Sequence, residues 1–226
     1  MSKAIKAVVL GASGYVGGEL LRLIAGHPNF ELAAAVSDSQ AGEPVASTFP
    51  HLGQVLQGSA FVARDRWLEN IPSGSRIAYF SAAPHGAAAS SIAAALKAAS
   101  DKEISLSVVD SSADFRYARQ SDWESIYAAR HGAPELLDQF SCAVPEHMPK
   151  PSTAHVGHPG CFATATLLAT VPLVHSGLTE PEVFVTGITG STGSGKSPSA
   201  GTHHPERNSN LYAYKPLCHR HSPEIA

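Results

Sequence analysis

The sequence predicts an α/β protein: a Rossmann-like, doubly wound parallel sheet followed by the start of an α+β catalytic or dimerisation domain. Three observations predict it. Apolar strand-like runs alternate with helical stretches through most of the chain, the pattern of βαβ units. A glycine-rich turn, GASGYVGG at 11–18, joins the first such strand to the first such helix. Beyond about residue 155 the alternation gives way to a short strand, a tight turn, one apolar helix and a polar stretch with Gly and Pro.

Each element follows from its residues. AIKAVVL (4–10) is a continuous apolar-rich run ending at Gly11, as a strand buried on both faces requires. The next segment places Val16, Leu20, Leu23 and Ile24 close to one helical stripe, and Gly26 and Pro28 end it. ELAAAVS (31–37), RIAYFSAAP (76–84) and ISLSVVDSSA (104–113) read as further strands. The Ala-rich stretch 85–100 reads as a helix between the last two. HVG then leads through His158-Pro159-Gly160 into a helix from Cys161 to His175. EVFVTG (182–187) reads as a strand that opens onto a Gly/Ser loop. The division is placed between residues 156 and 157: a dinucleotide-binding domain over 1–156, and an incomplete catalytic or substrate domain over 157–226.

Composition excludes several classes of function. A net charge of -3 predicts no basic stripe and hence no nucleic-acid partner. No apolar run approaches the roughly 20 residues needed to cross a bilayer, so no membrane partner is expected. The N-terminus runs straight into a strand without a signal-peptide layout, which predicts a cytoplasmic protein. Cys142, Cys161 and Cys218 form no CxxC pair and predict no disulfide framework.

Gly11, Gly14 and Gly17 follow a strand and open a helix, at the spacing G-x-x-G-x-x-G. The first permits the turn, the second allows close approach of a pyrophosphate, and the third allows tight helix packing. After the second strand, Ser37 occupies the position that often carries an acid for the ribose 2′-hydroxyl, with Asp38 beside it. Ser37 leans toward NADP over NAD, and Asp38 leans the other way.

GSTGSGKS at 190–197 satisfies the phosphate-loop pattern G-x-x-x-x-G-K-[ST]. A working phosphate loop must lead directly into a helix. Here Gly201 and Pro205 follow without an apolar stripe, so a Gly-rich loop serving another site, or a flexible turn, is expected in its place. Cys161 follows Pro159-Gly160 at the start of a helix, a setting that suits a thiolate nucleophile. The residues alone equally allow a small, buried apolar cysteine, the reading taken for Cys142 and Cys218. His203, His204, His219 and His221 are close in sequence, but no pair lies four apart on a convincing helix, and no metal is expected.

Taken together, GASGYVGGELLRLIAGHP, APHG (83–86), VVDSSADFR (108–116), PGCFAT (159–164), GITGSTGSGK (187–196) and YKPLCHRHSPEI (214–225) resemble the N-acetyl-gamma-glutamyl-phosphate reductase family of arginine biosynthesis. The resemblance implies NADPH-dependent reduction of an acyl phosphate to a semialdehyde and phosphate. It implies that Gly11, Ser13, Gly14, Tyr15, Val16, Ser37 and Pro84 contact NADP(H). Gly190, Ser191 and Gly193 would lie near the nicotinamide, which makes the phosphate-loop match accidental. Cys161 matches the family's nucleophile and His219 its acid/base. Arg116 is expected either as an anion clamp for substrate or in a structural salt bridge, and Arg207 as a second anion site. A homo-oligomer is implied. The form of the 190–207 loop is similar to relatives acting on a carrier-bound (LysW) aminoadipyl phosphate or an N-succinyl substrate, so the acyl group stays open. Family members run on for roughly another hundred residues, so a truncated catalytic domain is expected.

Overall fold

The computed structural model describes residues 4–226. Seven strands form one sheet: β1 (Ile5–Leu10), β2 (Phe30–Val36), β3 (Phe61–Val62), β4 (Arg76–Ser81), β5 (Ser105–Asp110), β6 (Phe140–Cys142) and β7 (His155–Gly157). Six α-helices accompany them: α1 (Tyr15–Ala25), α2 (Val45–Thr48), α3 (Ala88–Asp101), α4 (Gln120–Tyr127), α5 (Cys161–His175) and α6 (His204–Arg207). The strand order is β3-β2-β1-β4-β5-β7-β6, and every strand pair is parallel.

Alternation along β1 builds both layers of the core. Ala7 and Val9 face Leu21 and Ile24 of α1 together with Leu52 and Phe61. Val8 and Leu10 face the other layer, with Trp67, Tyr79, Ile92 of α3 and Phe115. A strand covered on both faces must be apolar at successive positions, and β1 is. The chain moves outward from β1 through β2 to β3, then returns to β4 on the other side of β1. Strand order therefore reverses between β1 and β4, and in such sheets the ligand crevice lies beyond the carboxyl ends at that point.

Three expectations need correction. The buried stripe of α1 is Gly17, Gly18, Leu21 and Ile24, whereas Val16 and Leu23 are exposed. Gly17 lets the helix lie against the β1 turn and Gly18 lets the Phe49 ring pack on it, so these small residues, and not the larger neighbours, take the inward face. EVFVTG forms no strand, and Phe184, Val185 and Ile188 stand exposed. A strand needs a partner edge, and none of the described strands lies beside it. Cys142 and Cys218 are exposed: one ends the edge strand β6, the other sits in the loop before His219.

Candidate active site

The dinucleotide end of the site is built from the turn after β1. Gly11 adopts φ +73, and a Cβ there would sit 2.5 Å from the Ala82 carbonyl oxygen. A Cβ at Gly17 would meet the Gly11 carbonyl oxygen at 2.3 Å. Both positions thus require glycine. The first turn of α1, where Tyr15 and Val16 stand exposed, has no side-chain cap and no acidic residue. Its unpaired N–H groups and helix dipole suit a pyrophosphate. The residues present fit a dinucleotide, and Gly11, Ser13, Gly14, Tyr15, Val16, Ser37 and Pro84 are gathered around this turn or at the strand ends next to it.

At the end of β2 the Ser37 hydroxyl lies 2.7 Å from that of Ser13. Asp38 is engaged by a residue that sequence reasoning missed. Arg64 donates from its backbone N–H to Asp38 Oδ1 at 2.8 Å, and from Nε and Nη2 to Oδ2 at 3.1 and 2.7 Å. Arg64 Nη1 also donates to Ser91 of α3 at 2.8 Å. The bond from the Arg64 backbone N–H, helped by its guanidinium, holds the Asp38 carboxyl below the ordinary value despite some burial.

The SADFR segment organises the loops after β4 and β5. The fully buried Asp114 accepts hydrogen bonds from Gly86 and Ala89 N–H at 2.7 and 2.9 Å, so it caps the start of α3. Of the two readings of Arg116, the salt bridge is the one present. Its side chain is 4% exposed and pairs with Glu224, which is 0% exposed, at 3.0 Å. Its remaining bonds go to the carbonyls of His158 and Ser111 at 2.9 and 3.2 Å.

Cys161 is the first residue of α5, with Gly160 as its extended N-cap. It is exposed, which removes the buried-cysteine alternative. It opens into a cleft of about 340 Å³ that also contains His219, Arg207, Gly190, Ser191 and Gly193. The structure therefore brings the Gly/Ser loop, the cysteine and the histidine together. Arg207 is partly buried there, 5.3 Å over the Tyr212 ring. No long helix follows Lys196: the next elements are a 3-10 turn at Ala200–Thr202 and the four-residue α6. Lys196 Nζ instead lies 3.4 Å from the Ser13 carbonyl, at the dinucleotide turn. The segment lacks what a phosphate loop requires.

His219 is oriented by its neighbours. Its ring stands edge-on to Phe162 at 5.3 Å. The His221 backbone N–H donates to its Nδ1 at 3.1 Å, which leaves the proton of the neutral ring on Nε2. Burial, and then the positive charges of Arg220 and Lys215, hold His219 below the ordinary histidine value. His221 is buried against Gly160, where a Cβ would meet its Nε2 at 2.3 Å. Burial, followed by the charges of Arg116 and His219, pushes His221 down to about 4.

Comparison with known proteins agrees with this architecture. A family model described as semialdehyde dehydrogenase, NAD binding domain, matches residues 6–161. A second, described as semialdehyde dehydrogenase, dimerisation domain, matches residues 161–226. N-acetyl-gamma-glutamyl-phosphate reductase of Methanosarcina barkeri is 39% identical over 226 residues, covering 98% of this chain and 61% of that protein. The Pseudomonas putida protein of the same name is 38% identical over 225 residues, covering 98% and 62%. LysW-L-2-aminoadipate/LysW-L-glutamate phosphate reductase of Saccharolobus solfataricus is 35% identical over 227 residues, covering 99% and 62%. The chain spans about three fifths of the length of these relatives. Aspartate semialdehyde dehydrogenase from Candida albicans, solved with NADP, matches 77% of this chain and 48% of its own with a TM-score of 0.50 at 18% identity, a likeness of fold. With the two family models together spanning residues 6–226, the chain belongs to the semialdehyde dehydrogenase family.

Proposed function

We propose that this chain carries the reacting groups of an NADPH-dependent acyl-phosphate reductase that converts N-acetyl-gamma-glutamyl phosphate to N-acetylglutamate semialdehyde and phosphate. The observation that carries the proposal is the exposed Cys161 at the start of α5, in one cleft with His219. The Cys161 thiolate attacks the acyl carbon, and the carbon–oxygen bond to phosphate breaks to leave a thioester. When bound, NADPH supplies the hydride that reduces this carbon. The resulting oxyanion expels the Cys161 thiolate as the carbon–sulfur bond breaks, giving the aldehyde. His219, held as the Nε2–H tautomer, is the proposed proton donor to the oxygen that becomes negative, the donor half of the expected acid/base role. Arg207 supplies a guanidinium to the cleft for the anionic substrate. The dimerisation-domain match over residues 161–226 supports action as a homo-oligomer.

The test is phosphate-dependent reduction of NADP+ by the protein with N-acetylglutamate semialdehyde. Turnover that disappears in Cys161→Ser supports the proposal. A folded, NADP-binding protein without turnover overturns the acetylglutamyl assignment. A carrier-bound aminoadipyl or glutamyl phosphate is the second reading, favoured by the 35% identity to the Saccharolobus solfataricus enzyme over 99% of this chain.

A further inference from the structure

The Arg116–Glu224 pair is buried where the cysteine helix and the histidine loop meet. Its residues lie 108 positions apart in the chain. One carboxylate oxygen of Glu224 takes the Arg116 guanidinium at 3.0 Å, and the other accepts the Gly160 N–H at 2.6 Å. Gly160 directly precedes Cys161. Glu224 lies five residues beyond His219, in the turn Ser222–Glu224, whose last N–H returns to the His221 carbonyl at 3.1 Å. Arg116 is anchored in turn to the carbonyls of Ser111, after β5, and His158, after β7. The histidine loop therefore docks on the start of α5 through the His221 ring over Gly160, the Glu224 carboxylate on the Gly160 N–H and the Phe162 ring against His219.

Removing two charges from water costs several kcal/mol per ion, and apolar replacements of buried pairs are often neutral or stabilising. Stability alone gives little reason for a charged pair at this spot. Its geometry gives another. The carboxylate ties together the sheet ends, the residue before Cys161 and the segment that carries His219.

We infer that Arg116 and Glu224 are positioning residues, which set the His219 ring against Cys161 without touching substrate. This inference rests on the reaction proposed above. Neither side chain has exposed surface to offer a ligand beyond the 4% of Arg116.

The experiment compares wild type with Arg116→Met/Glu224→Met, an apolar exchange of the whole pair, and with Glu224→Gln, which keeps an acceptor for Gly160. Thermal midpoint, NADP+ affinity, kcat, KM and the 15N signals of the His219 ring are measured on each. The expected result is a folded double variant with kcat lower by about 100-fold, the scale of an ångström's misplacement of a reacting group. KM and NADP+ affinity stay within about threefold, and the His219 signals lose the wild-type Nε2–H pattern. Glu224→Gln, retaining the tie to Gly160, recovers part of kcat. A folded double variant with wild-type kcat and unchanged His219 signals overturns the inference. If the double variant does not fold, a Glu224→Gln protein with both properties at wild-type values overturns it equally. Cys161→Ser is assayed alongside. Activity that survives there defeats the reaction reading, while the ring signals still report whether the pair holds His219.

Discussion

The backbone N–H of His221 donates to Nδ1 of His219 at 3.1 Å. Because an N–H can donate only to a nitrogen without a proton, His219 is fixed as the Nε2–H tautomer when neutral. Protonation must break this bond, which adds to the burial and neighbouring positive charge that lower its value. His219 is therefore expected to stay neutral to a lower pH than a free histidine and to donate from Nε2 across the neutral range. His219→Gln should reduce kcat by roughly 100- to 1000-fold with little change in NADP+ affinity. Ring 15N spectra at pH 7 should show a protonated Nε2 and a bare Nδ1. A bare Nε2 would sink this assignment.

His221 links the same segment to stability. Its folded value is pushed down to about 4, against about 6.5 in an unfolded chain. Above about pH 6.5 both states carry it neutral, and the folded state has its full stability. As pH falls toward 4, the unfolded chain takes up the proton first, so stability declines, by an amount on the order of 2–3 kcal/mol from this group. Its Nδ1 is buried without a partner among the described residues, so nothing in the fold favours the charged form. Urea denaturation between pH 7.5 and about 4.5 should show this decline in wild type. His221→Asn should flatten it. Equal slopes in the two proteins would show that other groups carry the acid sensitivity.

The glycine turn makes a steric prediction. A Cβ at Gly17 would lie 2.3 Å from the Gly11 carbonyl and 2.7 Å from Ala12 Cα, both backbone atoms that cannot swing aside. Gly17→Ala should destabilise the protein by about 2 kcal/mol or more and weaken dinucleotide binding, because the first turn of α1 must move. Gly26→Ala is the control. Its nearest contact would be 3.8 Å away, and stability should change by no more than about 0.5 kcal/mol. Similar effects at both positions would contradict the close approach.

The parts of this architecture legible in the sequence are those whose signal is local. β1 is buried on both faces from Ala7 to Leu10, β4 is buried at alternate positions, β5 is buried at Val108 and Asp110, and α5 begins directly after Pro159-Gly160. β3 and β6, at two and three residues, are too short to show a period. α4 buries only Trp123 and so shows no apolar stripe. Cys161, His219 and the Gly/Ser loop were visible as motifs, and the fold gathers them into one cleft. The expected strand at 182–187 failed because a short apolar run does not supply the partner edge a strand needs. The pairings Asp38–Arg64 and Arg116–Glu224 were invisible for a related reason. They join residues 26 and 108 positions apart, and only the sheet order brings them together.

The pair at the end of β2 bears on the NAD-or-NADP question the sequence left open. An acid there accepts the ribose 2′-hydroxyl of NAD, whereas an arginine nearby accommodates the 2′-phosphate of NADP. Here Asp38 is occupied on both oxygens by Arg64, and its charge is largely neutralised for an approaching anion. Arg64 is braced on its far side by Ser91, so the guanidinium is held in place at the crevice with about half its side-chain surface open. The Ser37 and Ser13 hydroxyls, 2.7 Å apart at the end of β2, are neutral hydrogen-bonding groups. This arrangement favours NADP. Arg64→Leu should weaken NADP+ binding roughly 10- to 100-fold, the worth of a charge-assisted bond or two, and leave NAD+ within about twofold. Asp38→Ala should leave NADP+ binding intact or tighter, since it removes a negative charge paired with Arg64. Titration of both dinucleotides against the three proteins by calorimetry separates the alternatives. Loss of NAD+ affinity in Asp38→Ala, with NADP+ indifferent to Arg64, would make Asp38 the ribose acceptor and the enzyme NAD-preferring.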